Sequence, residues 1–289
     1  MTALGLVKLP SLMALSAGRA DVVVGLIDGP VAVGHSDLAG NIREAPGATA
    51  ACSQAASAAC LHGTFVAGIL SAKRGSVAPA ICPDCTLLVR PVFAEAISCN
   101  LDSPNAEPEQ LAAAILACVE AGAQVINLSL ALIQSSAQAR LALLQALDHA
   151  ARREVLIVAA AGNQGAVGGT IITAHPWVVP VGACDLSGRP LNESNIGHSI
   201  GRRGLLAPGE QVTSLGGEGR PITLGGTSAA APFVTGAIAL IWSLFPAARG
   251  AELRLAVAKA HAQARSAVTP PLFNAWSAYQ ALLATHPMR

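Results

Sequence analysis

Aromatic side chains are nearly missing from this sequence. Five Phe, three Trp and one Tyr make up 3% of 289 residues. Charged residues are scarce too, at 12%, and the formal balance is only +1. So neutral a chain gives no argument for nucleic acid or an anionic membrane as partner. No window reaches the roughly 18 consecutive apolar residues of a membrane helix. The opening "MTALGLVKLPSLMALSAGRADVVVG" lacks a basic leader followed by a long apolar run and a small-residue cleavage site. No signal peptide is read there, and a cytoplasmic location is expected.

What is abundant is small and apolar. Hydrophobic residues make up 52% of the chain, so a sizeable core of Ala, Val, Leu and Ile is expected and disorder is not. Seven cysteines are present, an odd number that leaves at least one thiol free. Cys82 and Cys85 form one C-x-x-C with no second pair at zinc-finger spacing, which argues against zinc. Cys52 with Cys60, and Cys85 with Cys99, are each placed to close a loop; the sequence leaves both pairings open.

Strand-like and helix-like segments alternate. "DVVVGLID" (21–28), "TLLVRPVF" (86–93), "AQVINLSLAL" (123–132), "VLIVAAAGN" (155–163) and "HPWVVPVGAC" (175–184) are short apolar runs of the kind buried on both faces. Helical patterns cover 62–72, 108–122 and 136–154, a long stretch from about Ser228, and 251–284 broken at "TPP". The alternation predicts an α/β fold, a parallel sheet flanked by helices on both faces. No linker or repeat divides the chain. One domain over residues 1–289 is expected, with 1–20 as an N-terminal extension and 251–289 as a C-terminal helical segment packed on it. Active sites of such sheets lie beyond the carboxyl ends of the strands, where Asp28 and Asn163 would emerge.

Three short stretches carry chemistry: "GLIDGPV" with Asp28, "HGTFVAGIL" with His62 and "GGTSAAAPFVTG" with Ser228. A serine hydroxyl is a weak nucleophile that needs a base, and the base needs an orienting acceptor. Ser228 at a helix start would stand where unpaired N–H groups favour a developing oxyanion. Singly, each residue has a bland explanation. Asp28 suits a turn, Ser228 an N-cap, and His62 is one histidine among seven. In this order and with these neighbours, catalysis outweighs the bland set. His35, close after Asp28, is the main decoy. His149 suits the C-terminal end of its helix, and His175, His198, His261 and His286 lack motif context.

These stretches, with "AAAGNQG", resemble the subtilisin-like serine proteases, whose catalytic order is Asp, His, Ser. The likeness runs from about Asp21 to Pro246 and implies the subtilisin-like three-layer fold. It also implies that Asn163 donates to the oxyanion. "NLSLA" matches the strand that pairs with an extended peptide substrate, bringing in Ser129, Leu130 and Ala131. Ala160, Ala161 and Gly162 match a pocket wall for the residue before the cut. The flavour around the motifs is similar to the cyanobactin-maturation proteases, which cut ribosomally made precursor peptides in the cytoplasm. The expected activity is therefore that of a serine endopeptidase removing a leader. A transpeptidase of the same fold and a catalytically idle peptide-binding module are the alternatives. Asp37 matches one calcium ligand of the family, but "AGILSAKRGSVAP" lacks the usual loop, so no metal and no cofactor are expected. The stretch from Asp28 to His62 has the length found in plain proteases, without the extra helices of macrocyclising relatives.

Overall fold

The computed structural model describes residues 2–93, 95, 105–132, 136–261 and 266–286. Seven strands make one sheet: β1 (Val23–Asp28), β2 (Ile42–Glu44), β3 (Thr86–Pro91), β4 (Val125–Leu128), β5 (Leu156–Ala160), β6 (Val178–Cys184) and β7 (Leu205–Pro208). Their order across the sheet is β2-β3-β1-β4-β5-β6-β7, and every neighbouring pair is parallel. All carboxyl ends therefore open on one rim.

Side-chain alternation divides the strands between two cores. Val24, Leu26, Leu87, Val89 and Val158 face a layer containing helices α1 (Ala58–Ser71) and α4 (Thr227–Leu244). Val23, Ile27, Leu88, Ile126 and Ile157 face α2 (Pro108–Glu120) and α3 (Ala137–Arg152). Burial on both faces is why these strands read as continuous apolar runs. The helix Thr227–Leu244 is long and apolar enough to cross a membrane, but it lies inside the first core.

Element boundaries differ from expectation for local reasons. α1 starts at Ala58, not near His62, because Ser57 caps it, accepting from Cys60 N at 3.1 Å. The strand expected over 123–132 stops at Leu128, and Ala131–Leu132 pairs instead with Asn105–Ala106. Two strands were not expected. β2 is short and half exposed, and β7 is four residues ending in proline, so neither carries a periodic signal. A hairpin of Val212–Ser214 with Ile222–Leu224 also went unread. The N-terminal stretch is helical at Leu9–Leu15, and Leu9 and Leu12 enter the first core. Arg74 fastens it, donating to the carbonyls of Met13 (2.6 Å), Ser16 (2.6 Å) and Ile81 (3.1 Å). At the other end, Gly250–Ala258 and Ala275–Leu283 are helices on either side of "TPP".

Candidate active site

Asp28 is the last residue of β1 and is fully buried. Its Oδ1 accepts from Gly29 N at 2.7 Å and lies 2.6 Å from His62 Nδ1. A carboxylate only accepts, so Nδ1 of His62 carries the proton and Nε2 is left as the basic nitrogen. His62 sits in α1, and glycines allow that helix so close to the strand end. A Cβ on Gly63 would stand 2.3 Å from the carbonyl oxygen of Pro30, and one on Gly29 2.0 Å from that of Ala59. The glycines flanking Asp28 and His62 are thus requirements of the pairing.

Ser228 is the second residue of α4. The N-cap is Gly226, with φ +89° and no side-chain capping bond, so the N-cap explanation of Ser228 is removed. Its N–H lies in the first turn, where helical geometry offers no acceptor. Ser228 Oγ donates to the carbonyl of Ser129 at 3.3 Å, and Ser129 Oγ donates to the carbonyl of Ser228 at 3.1 Å. The helix leaves that carbonyl vacant because the residue four positions on is Pro232, which has no N–H.

Behind Ser129 stands a buried polar chain. Asn127 Nδ2 donates to Ser129 Oγ at 2.7 Å, and Thr235 Oγ1 donates to Asn127 Oδ1 at 2.8 Å. All three residues are fully buried. Satisfied networks of this kind fix one arrangement.

Asn163 lies three residues beyond β5. Its Oδ1 accepts from Thr227 N (2.8 Å) and Thr227 Oγ1 (2.9 Å). A backbone donor at Thr227 settles which way the amide points, leaving Nδ2 as the unengaged donor. Thr227 Oγ1 also accepts from Gly162 N at 3.1 Å. Asn195, 7% exposed, supports the same loop. Its Oδ1 accepts from Gln164 N and Ala166 N, and its Nδ2 donates to the carbonyl of Ala161. A Cβ on Gly162 (φ +104°) would collide with Asn195 Nδ2 at 2.4 Å.

The rim thus brings together Asp28, His62, Ser129, Asn163 and Ser228. Leu130, Ala160 and Ala161 are buried beside them, and the backbone of Ala131 pairs with Asn105. That pairing occupies one edge of the 131–132 backbone. Four contributors were missed by sequence reading: Asn127, Asn195, Thr227 and Thr235. Thr227 lies inside a quoted motif and Asn127 beside Ser129, but no spacing rule points to Asn195 or Thr235. His35 is not at the site; its Nδ1 accepts from Asp37 N at 3.0 Å. His149 faces Glu120, and His175 faces Asp148.

Beside Asp37, Lys73 Nζ donates to the carbonyl of Ser36 at 2.6 Å, so a cationic side chain is already built into that turn. Cys52 and Cys60 form a disulfide two residues before His62. Their sulfurs and Glu95 lie within 4.8 Å of one another, but bridged sulfurs are not thiolate ligands. Cys85 is a buried free thiol, as are Cys82, Cys118 and Cys184, so Cys85 is not bridged; Cys99 lies outside the described residues. Burial pushes the Cys118 and Cys184 thiols up to about 12.

Comparison with known proteins shows the family and the fold. Residues 19–272 match the Subtilase family. Subtilisin DY of Bacillus licheniformis is 30% identical over 255 residues, covering 86% of this chain and 86% of that protein. Subtilisin NAT of Bacillus subtilis subsp. natto is 29% identical over 86% of this chain and 62% of its own length. Among solved structures, the prenylagaramide maturation protease PagA superposes with a TM-score of 0.83 at 28% identity, covering 95% of this chain and 98% of that one.

Proposed function

The chain belongs to the subtilase family, and from that premise we propose that it is a serine endopeptidase that trims a ribosomally made precursor peptide. The observation that carries the reading is the 2.6 Å contact of His62 with buried Asp28, on the rim that also holds Ser228 and the fixed Asn163 amide. Peptide entering beside Ser129 takes over that residue's carbonyl, and Ser228 Oγ turns from it to His62 Nε2. Ser228 attacks the scissile carbonyl as His62 accepts its proton. The charge on His62 is balanced by Asp28. The tetrahedral oxyanion is met by Asn163 Nδ2 and the Ser228 N–H. His62 then protonates the departing amine, and water repeats the sequence on the acyl-enzyme. Leu130, Ala131, Ala160, Ala161 and Gly162 border the residues before the cut, and the whole chain acts as one domain.

A precursor peptide is favoured as substrate by the structural likeness to a maturation protease. Hydrolysis is favoured over ring closure because the segment from Gly29 to the start of α1 holds only the short strand Ile42–Glu44 and turns. The cytoplasm is the proposed compartment. Four buried free thiols suit it, whereas the Cys52–Cys60 bridge suits an oxidising one, and alkylation at the moment of lysis decides between them.

A fluorophosphonate should label Ser228, and Ser228→Ala should abolish both labelling and cleavage. Equal labelling of Ser228→Ala would overturn the assignment. Product masses separate the chemistries: linear fragments carry one added water per cut, and rings carry none.

A further inference from the structure

The contacts of the α4 start order the rim from one side to the other. Ser228 bonds to Ser129, just past β4. Thr227 bonds to Asn163 and Gly162, past β5. Gly226 N donates to the carbonyl of Gly209, just past β7, at 2.7 Å. The residues assigned to the substrate before the cut, Ser129–Ala131 and Ala160–Gly162, all lie on the β4–β5 side. A chain that occupies that side and passes Ser228 must leave toward β6 and β7.

A cavity of about 710 Å³ stands there. Gly225 and Gly209 line it next to Gly226, so it opens three residues from the nucleophile. Its charged lining is Asp185, Arg189, Glu193 and Glu210. Asp185 and Arg189 neutralise each other, with Nε of Arg189 2.9 Å from Oδ2 of Asp185. Among the described residues, neither Glu193 nor Glu210 has a side-chain hydrogen bond or an ion pair. The cavity is therefore a concave, polar subsite carrying two uncompensated carboxylates beside the leaving-group side of the reaction centre.

We propose that this cavity receives the one or two residues that follow the cut, and that Glu193 and Glu210 select lysine or arginine there. This rests on the endopeptidase reading above and adds the chemistry of the leaving segment. An ammonium or guanidinium on a long stem reaches both carboxylates while its methylenes lie along Leu224, and an acidic side chain is repelled.

The test profiles every cut that the full chain makes in a mixture of denatured proteins, read by mass spectrometry of the fragments. Lysine and arginine are expected to exceed aspartate and glutamate in the two positions after the cut by about tenfold at low salt. The excess should shrink at 0.5 M salt, where screening is shorter-ranged. The exposed pair Glu193→Gln/Glu210→Gln should erase it, with fluorophosphonate labelling of Ser228 showing that the variant is folded, and Glu193→Lys/Glu210→Lys should reverse it. Cuts with no charge preference, or a preference that survives the double Gln variant, overturn the proposal. A second measurement needs no chemistry: Lys-Lys amide and Glu-Glu amide are titrated against Ser228→Ala protein and followed by NMR shifts. Tighter binding of Lys-Lys amide, lost in Glu193→Gln/Glu210→Gln, supports the subsite; equal binding ends it. A chain that never cuts but binds in this way would refute the endopeptidase reading alone.

Discussion

Ser129 and Ser228 exchange hydrogen bonds, hydroxyl to carbonyl in both directions, at 3.1 and 3.3 Å. The exchange exists because Pro232 withholds the donor that a regular helix would supply to the Ser228 carbonyl. Ser129→Ala removes one hydroxyl and leaves the Ser228 carbonyl and Asn127 Nδ2 without partners. Denaturant unfolding should show a loss of about 1–3 kcal/mol, and fluorophosphonate labelling should slow. Unchanged stability and labelling would mean that this exchange holds nothing in place.

Thr235 acts one step further back, through Asn127. Thr235→Val keeps the shape but removes the donor to Asn127 Oδ1, which is fully buried. A stability loss of about 1–3 kcal/mol is expected, with kcat lowered more than KM is raised. Thr235→Ser keeps the hydroxyl and should restore kcat; failure to restore it would assign the effect to packing.

Asn163 depends on Thr227 for its orientation. Asn163→Leu should lower kcat by about 100- to 1000-fold, the size measured for a side-chain oxyanion donor in subtilisin. Thr227→Val removes only one of the two bonds to Asn163 Oδ1 and should cost less, about tenfold. Steady-state kinetics on one peptide separates them. Equal losses in the two variants would show that Thr227 does more than orient the amide.

Glu95 gathers the turn before α1. Its carboxylate accepts from Ser53 N and Oγ, Gln54 N and Ser57 Oγ. Burial alone would raise its pKa, but these donors outweigh burial and hold it below the ordinary 4.5. A depressed folded value means that the carboxylate's contribution is complete above pH 4.5 and fades as pH falls through the folded value. The Tm difference between the natural chain and Glu95→Gln should therefore be constant from neutral pH to about 4.5 and narrow below it. A difference that widens in acid would contradict the shift.

The Cys52–Cys60 bridge spans eight positions of sequence. A loop of that size restricts the unfolded chain by about 2.5 kcal/mol on the chain-entropy account. Cys52→Ser/Cys60→Ser should lower Tm accordingly. The buried thiols of Cys118 and Cys184, pushed up to about 12, should resist alkylation until the protein unfolds. Calorimetry of the double variant checks the first statement, and peptide mapping after alkylation without reductant checks the second.

Much of this was readable in the chain. The apolar runs that became β1, β4, β5 and β6 announced strands buried on both faces, because alternation disappears when both faces are covered. Asp28, His62 and Ser228 stood out because each sits in a glycine-bearing stretch that neither a core nor a surface requires. The bridge between Cys52 and Cys60 was one open pairing among two. Thr235 and Asn195 left no local mark, since each meets the site through partners 29 or more positions away in the chain, and the leaving-side cavity is assembled from separate stretches around Arg189, Glu210 and Leu224.

The amino-acid order by itself determined the layers and the candidate nucleophile, base and orienting carboxylate, because hydrophobic period and glycine placement are local properties of a chain. Folding decided which oxygen of Asp28 meets His62, which way the Asn163 amide turns and where the unpaired carboxylates of Glu193 and Glu210 come to rest. Those outcomes depend on contacts between strands distant in sequence, where a shift of one ångström makes or breaks a hydrogen bond.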